Sequence, residues 1–326
     1  MERKTPVLVT AIGSTTAQSV VKGFRKQRSF PVRIIGTDTH REQEISGRLF
    51  CDRFVTVPPA SRPADYLAAL RQIVESEGVR LLVPIHDQEL EVLARRKSAF
   101  PSGCLVLVSS YNTVRVCNDK WRTFQALTKW GIPTFRTIVP SSNGSLAAQV
   151  RLFGLHFPLI AKPRNGVSSR GLQEILSPED LVLVKRVHRP ILQEMGVGPE
   201  FTVDTFSDRN GVVAIVPRLR IETRAGISYR GRTVHDSQLE KLAGELVTQL
   251  QILGPANVQV IRTADGDRVV EINPRFSGGL PLTIAAGVNS PSLALRMARG
   301  ADLHKVRGFR VASMCRHWEE VFHYGD

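Results

Sequence analysis

The stretch "VVEINPRFSGGLPL" (Val269–Leu282) begins as an apolar strand and ends in a Gly-Gly turn. Between the two it places Glu271, Asn273 and Arg275 at intervals of two. Side chains alternate faces along an extended chain, so the three project to one side. A carboxylate, an amide and a guanidinium together fit either a solvated edge strand with a Glu–Arg pair or a metal and phosphate site. Oxygen donors of this kind suit Mg²⁺, which prefers hard ligands and shares them with substrate phosphates. The arginine fork could hold a phosphoryl oxygen.

Working upstream, "NVQVI" carries Gln259 on a strand joined to the first by the turn "TADGDR". A hairpin brings Gln259 close to Glu271 and adds a third oxygen donor. Before it, "LIAKPRNGVSSRG" sets Lys162 at the end of an apolar strand, followed by a flexible loop with Gly166, Ser168, Ser169 and Gly171. Such a loop can wrap phosphates with N–H groups and hydroxyls while the lysine supplies charge. A lysine snorkelling beside a surface loop is the plainer alternative. It is not a Walker A sequence. In "ILQEMGVGPEFTVD" the backbone at Gln193–Gly196 could pair with adenine edges, and Glu200 could accept from ribose hydroxyls.

The first third has another texture. "PVLVTAIGSTTAQSVVKGFRK" reads as strand, small-residue turn and helix; "VRIIGTDTH" as a second strand ending at Asp38; "LLVPIHDQELEVLARR" as strand, polar turn and helix; "CLVLVSS" as a short strand. This alternation predicts a parallel α/β sheet with ligands at the carboxyl ends of its strands. The third glycine of GxGxxG is missing, so there is no dinucleotide fingerprint. Gly13 and Ser14, at a helix N-terminus, form either an anion site or a tight turn. From "NDKWRTFQALTKWGIPTF" a helix capped by Asn118 or Asp119 and ended by Gly131 and Pro133 leads into a small α+β unit. An antiparallel sheet with a helix around Asp236–Leu253 completes the chain.

Composition sets the outer limits. With 326 residues, 42% apolar and 23% charged, the chain has the make-up of a globular protein of two or three compact units. No apolar run approaches the ~20 residues that cross a bilayer, and the N-terminus reads as a strand without a signal-peptide core. Cys51, Cys104, Cys117 and Cys315 form no CxxC pair, so free buried thiols and a cytoplasmic location are expected. Net charge is +14. Residues 1–110 hold 16 of the 44 Lys/Arg and 11 of the 30 Asp/Glu, so the excess tracks length. Anionic small-molecule ligands therefore fit better than nucleic acid.

The order Lys120, Lys162, flexible loop, Glu194 and Glu200, Gln259, Glu271-x-Asn-x-Arg275 resembles the ATP-grasp superfamily, most closely carboxylate–amine ligases like the carbamoyl-phosphate-synthase large subunit. The resemblance implies an ATP-grasp fold (α+β) preceded by a parallel Rossmann-like α/β domain. The expected parts are a pre-ATP-grasp domain at 1–112, a linker helix and lid at 113–190 and a metal-bearing subdomain at 191–326. It implies ATP with Mg²⁺ or Mn²⁺ as cofactors. Lys120, Lys162, Ser168 and Ser169 would meet phosphates, Gln193, Glu194 and Gly196 adenine, and Glu200 ribose. Gln259, Glu271 and Asn273 would hold metal, with Arg275 and Lys162 catalytic. With Glu271 the one acidic ligand, metal affinity would lean on ATP itself. The implied reaction joins a small carboxylate to an amine through an acyl phosphate, releasing ADP and phosphate. A thiol or hydroxyl acceptor, or a binding module without turnover, are the alternatives; a homodimer is compatible with each. Finally, "VPRLRIETRAGISYRGR" (Val216–Arg232) holds five arginines against one glutamate. Arg218, Arg220 or Arg224 could anchor the substrate carboxylate, with a basic rim as the plainer reading and the Gly13–Ser14 turn as the other candidate place.

Overall fold

The computed structural model describes residues 4–166, 171–317 and 319–322. β1 (Thr5–Val9), α1 (Thr15–Lys26), β2 (Val32–Asp38), β3 (Arg53–Thr56), α2 (Pro63–Glu77), β4 (Leu81–Val83), α3 (Asp87–Arg95) and β5 (Leu105–Val106) build the first unit. Its sheet is all parallel, in the order β3-β2-β1-β4-β5. Val7 and Val9 enter one apolar core and Leu8 the other, so β1 is covered on both faces, as its unbroken apolar run requires. Strand order reverses between β1 and β4, which opens a crevice at their carboxyl ends.

α4 (Tyr111–Cys117) and α5 (Lys120–Lys129) follow. Asp119 caps α5 by accepting from the N–H groups of Trp121 and Arg122, and Gly131 behind it takes the left-handed conformation (φ 68°). Next come β6 (Thr137–Ile138), α6 (Leu146–Leu152), β7 (Leu159–Pro163), β8 (Gln173–Ile175), a 3₁₀ helix at Pro178–Arg186 and β9 (Pro190–Glu194). The four strands form an antiparallel sheet in the order β6-β9-β7-β8.

The last unit comprises β10 (Glu200–Asp208), β11 (Gly211–Arg224), β12 (Ile227–Thr233), α7 (Ser237–Gln249), β13 (Gly254–Thr263), β14 (Gly266–Asn273), α8 (Leu280–Ala285), α9 (Ser290–Ala298) and β15 (Ser313–Cys315). Its six strands run antiparallel in the order β14-β13-β10-β11-β12-β15. The helix expected around Asp236–Leu253 is α7, with Asp236 as its cap. Phe201, Val203, Val258 and Val260 cover one sheet face and pack on Leu239, Ala243 and Leu246 of α7. The opposite face changes character along the strands. At one end Phe206, Ala214 and Val216 join the core shared with β1 and α1. At the other, Glu200, Thr202, Asp204, Arg218, Arg220, Asn257 and Gln259 sit in matching register and make the face polar.

All four cysteines are free; Cys51, Cys104 and Cys117 are buried, whereas Cys315 is exposed. No helix of the described residues is long and apolar enough to cross a membrane.

Arg218 is 1% exposed and ends on Asp204, Nη2 to Oδ1 at 2.6 Å, with the Ser277 hydroxyl at 2.9 Å; Thr283 donates to the other Asp204 oxygen at 2.5 Å. Removing one partner of a buried pair leaves an uncompensated charge. Asp204→Ala should therefore lose about 3–5 kcal/mol in urea denaturation. Adding Arg218→Met should recover most of that loss. A single variant within about 1 kcal/mol of the parent would contradict the assignment.

Candidate functional site

The β13–β14 hairpin places Gln259 directly across from Glu271 and Asn257 across from Asn273. A register shift after Gln259 keeps the polar pairs together while Val260 and Val269 return to the core. The Asn273 amide donates to Glu271 Oε1 at 2.7 Å and to Asn257 Oδ1 at 3.3 Å. Gln259 turns its amide N–H to Glu200, leaving its carbonyl oxygen as the end that can face a cation. Pro274, which has no N–H, ends the ladder; Phe276 then drops into the core and holds the next turn down. Between them Arg275 turns to Asp87 at the start of α3, with Nε to Oδ1 at 2.8 Å.

Two lysines approach the same carboxylate. Lys120, the first residue of α5, puts its ammonium 3.8 Å from Glu271 and 3.0 Å from the Gly166 carbonyl. Lys162, on β7, is buried at 6% exposure. Burial pushes its pKa down to about 8; the Glu271 charge opposes that shift and the Lys120 charge adds to it. For Arg275, burial would lower the pKa, but the Asp87 and Glu271 charges outweigh it and the net shift is upward. Hairpin and lysines thus converge where α5 and β7 approach β14.

Gln193 is buried and donates to the Thr137 hydroxyl at 2.7 Å. The Glu194 carboxylate accepts from the His156 N–H at 3.1 Å, while the backbone N–H groups of Glu194 and Met195 go to Arg136 and Pro158 carbonyls. Gly196 lies against the Phe135 ring, where a Cβ would come within 2.3 Å. Glu200 takes Arg220 at 2.5 Å as well as Gln259. Ser168 and Ser169 lie outside the described residues. Arg218, as above, faces Asp204. Arg224 is exposed, bonds Glu222 at 2.9 Å and stacks on Tyr229. Far from the hairpin, the Gly13 N–H is given to Asp38 at 2.9 Å and Ser14 caps α1, so a carboxylate already occupies that turn.

Sequence reading passed over Asp87, Asn257 and Arg316. Asn257 sits two residues before Gln259, the same spacing that marked Glu271 and Asn273. Asp87 lies in a stretch that reads only as a polar turn. Arg316 donates to the Gly278 carbonyl, beside Arg218, and nothing in its local sequence announces this.

Residues 187–317 match the family described as ATP-grasp in the biosynthetic pathway with Ter operon, and residues 7–107 match the PylC-like N-terminal domain. The chain is 22% identical over 259 residues to the carbamoyl phosphate synthase large chain of Clostridium acetobutylicum; the match takes in 74% of this chain and 24% of that one, so this chain spans about a quarter of the relative's length. Among solved structures, the biotin carboxylase–β,γ-ATP complex from Campylobacter jejuni superposes with a TM-score of 0.73 at 13% identity, covering 95% of this chain and 74% of that one. The L-amino acid ligase from Bacillus licheniformis gives 0.69 at 16% identity, covering 91% and 75%. The fold is that of ATP-grasp proteins with a parallel N-terminal sheet.

Holding Lys162 charged below pH 8 costs the fold on the order of 3 kcal/mol, from a pKa lowered to about 8 against 10.5. Between those two values the unfolded chain binds the proton and the folded one does not, so this group's contribution to stability rises with pH. Lys162→Met, which keeps the stem's bulk, should be more stable than the parent at pH 7, with the advantage shrinking toward pH 10. Denaturant midpoints measured across that range test it; a variant less stable at pH 7 would contradict it.

Proposed function

For this chain, which carries an ATP-grasp domain behind a PylC-like one, we propose an ATP-dependent carboxylate–amine ligase. The observation that carries this reading is the convergence of Lys120 and Lys162 on Glu271, beside the amide oxygens of Gln259 and Asn273. Two ammonium groups with one carboxylate leave positive charge unmatched, which a polyphosphate would balance. The chain divides, on this reading, at 1–112, 113–190 and 191–326.

The donor chemistry fits a hard divalent cation such as Mg²⁺. Gln259, Glu271 and Asn273 would hold it, and its charge would neutralise phosphate oxygens. Glu271 is the one carboxylate among these three, so metal affinity would lean on ATP itself. Gln193–Gly196 would meet adenine and Glu200 the ribose, and for that Glu200 would share its oxygens with Arg220.

In the first step the acid's carboxylate oxygen attacks the γ-phosphorus; the bond to the β-phosphate oxygen breaks, giving an acyl phosphate and ADP. The amine nitrogen then attacks the acyl carbon, inorganic phosphate leaves and the amine gives up a proton. Lys162 and Arg275 act by position and charge, and no side-chain nucleophile is needed. Of the three candidate arginines, Arg218 and Arg220 are committed to Asp204 and Glu200, so Arg224, the exposed one, is left for the acid.

ADP release with a panel of acids, each with and without an amine, tests the reading. ADP should require an acid, and Glu271→Gln should keep the fold while removing nearly all release, because the amide keeps shape and loses charge. Release that follows a thiol or hydroxyl acceptor would instead assign that chemistry. Parental turnover in Glu271→Gln would overturn the metal site.

A further inference from the structure

Arg275 is held far more completely than a free phosphate ligand needs. A guanidinium has five N–H groups. In Arg275 the Nε donates to Asp87 Oδ1 at 2.8 Å, and Nη2 reaches Asp87 Oδ2 at 3.3 Å and Asn273 Oδ1 at 3.5 Å. Nη1 donates to the Phe276 carbonyl at 3.1 Å. One N–H, on Nη1, remains. The fork that could grip a phosphate with two parallel bonds already grips a carboxylate.

That carboxylate is itself fixed. Asp87 opens α3 at the carboxyl end of β4, and its carbonyl accepts from the Asn118 amide at 2.9 Å. Two residues on, Glu89 is buried and accepts from the Thr10 hydroxyl at 2.6 Å and from the Ile85 and His86 N–H groups at 3.1 and 2.9 Å. The turn that carries Asp87 is thereby tied to the crevice between β1 and β4. The ion pair spans 188 residues of sequence and links the parallel sheet to the β13–β14 hairpin.

We infer that Asp87 is a positioning residue for Arg275. It holds the guanidinium in one orientation, so that Arg275 meets the outermost phosphate with its charge and its single remaining N–H, not with a fork. This rests on the reading of Arg275 as the phosphoryl-contacting arginine. An asparagine at 87 keeps the shape but loses the charge and one of the two parallel acceptors. A glutamate keeps both at the end of a longer stem.

The readout that isolates this role is the ratio of affinities for a non-hydrolysable Mg-ATP analogue and for Mg-ADP, measured by calorimetry on the full chain. Overall loosening of the fold would weaken both nucleotides together; loss of Arg275 orientation weakens only the one with a third phosphate. Asp87→Asn should lower the ratio about fivefold, equivalent to about 1 kcal/mol, and Asp87→Glu should restore most of it. Arg275→Ala is the control and should lower the ratio at least as far. A parental ratio in Asp87→Asn beside a lowered one in Arg275→Ala overturns the positioning role alone. A parental ratio in both overturns the reading of Arg275 and the inference with it. Tighter binding of the analogue by Asp87→Asn would make the aspartate an inhibitory tether and also overturn the inference.

Discussion

A sheet face normally hides apolar side chains, and here one face does so along only half its length. Phe206, Ala214 and Val216 bury their end against the first unit. A few residues along the same strands, the face turns to carboxylates, amides and guanidinium groups. Polar groups taken from water must be partnered, or each costs about 1–3 kcal/mol. Nearly every feature of the last unit follows from meeting that demand. Arg218 is matched by Asp204, Arg220 by Glu200, and Asn273 by Glu271 and Asn257.

The partnering is uneven, and the unevenness points to the ligand. Away from the hairpin Arg218 and Arg220 each have a carboxylate. At the hairpin, Lys120 and the buried Lys162 face one carboxylate, Glu271, and burial, with the Lys120 charge adding to it, drives the Lys162 pKa down to about 8. Fold stability is given up at that point, which is common where a site is built for a ligand's charge.

Much of this was legible because it rests on period and spacing. Strict alternation placed Glu271 and Asn273 on one face, and the hairpin turn put Gln259 opposite. The parallel sheet followed from alternating strand and helix patterns. Side-chain partnering was not legible, because it depends on elements far apart in sequence. Five arginines in one hairpin suggested open anion sites, yet Arg218 and Arg220 meet carboxylates on β10. Gly13 looked available to an anion until β2 brought Asp38 to it. Asp87 lay hidden for the same reason: nothing within α3 announces an arginine 188 positions away.

On the proposed reading, ATP and its metal sit between the four-stranded sheet and the polar face. Hydrogen–deuterium exchange with and without a non-hydrolysable Mg-ATP analogue tests it most directly. Backbone amides in 194–198 and 273–279 should slow when the analogue is added, while those of α2 on the far side of the first unit should not. Slowing confined to the first unit, or none in either segment at saturating analogue, would contradict the account.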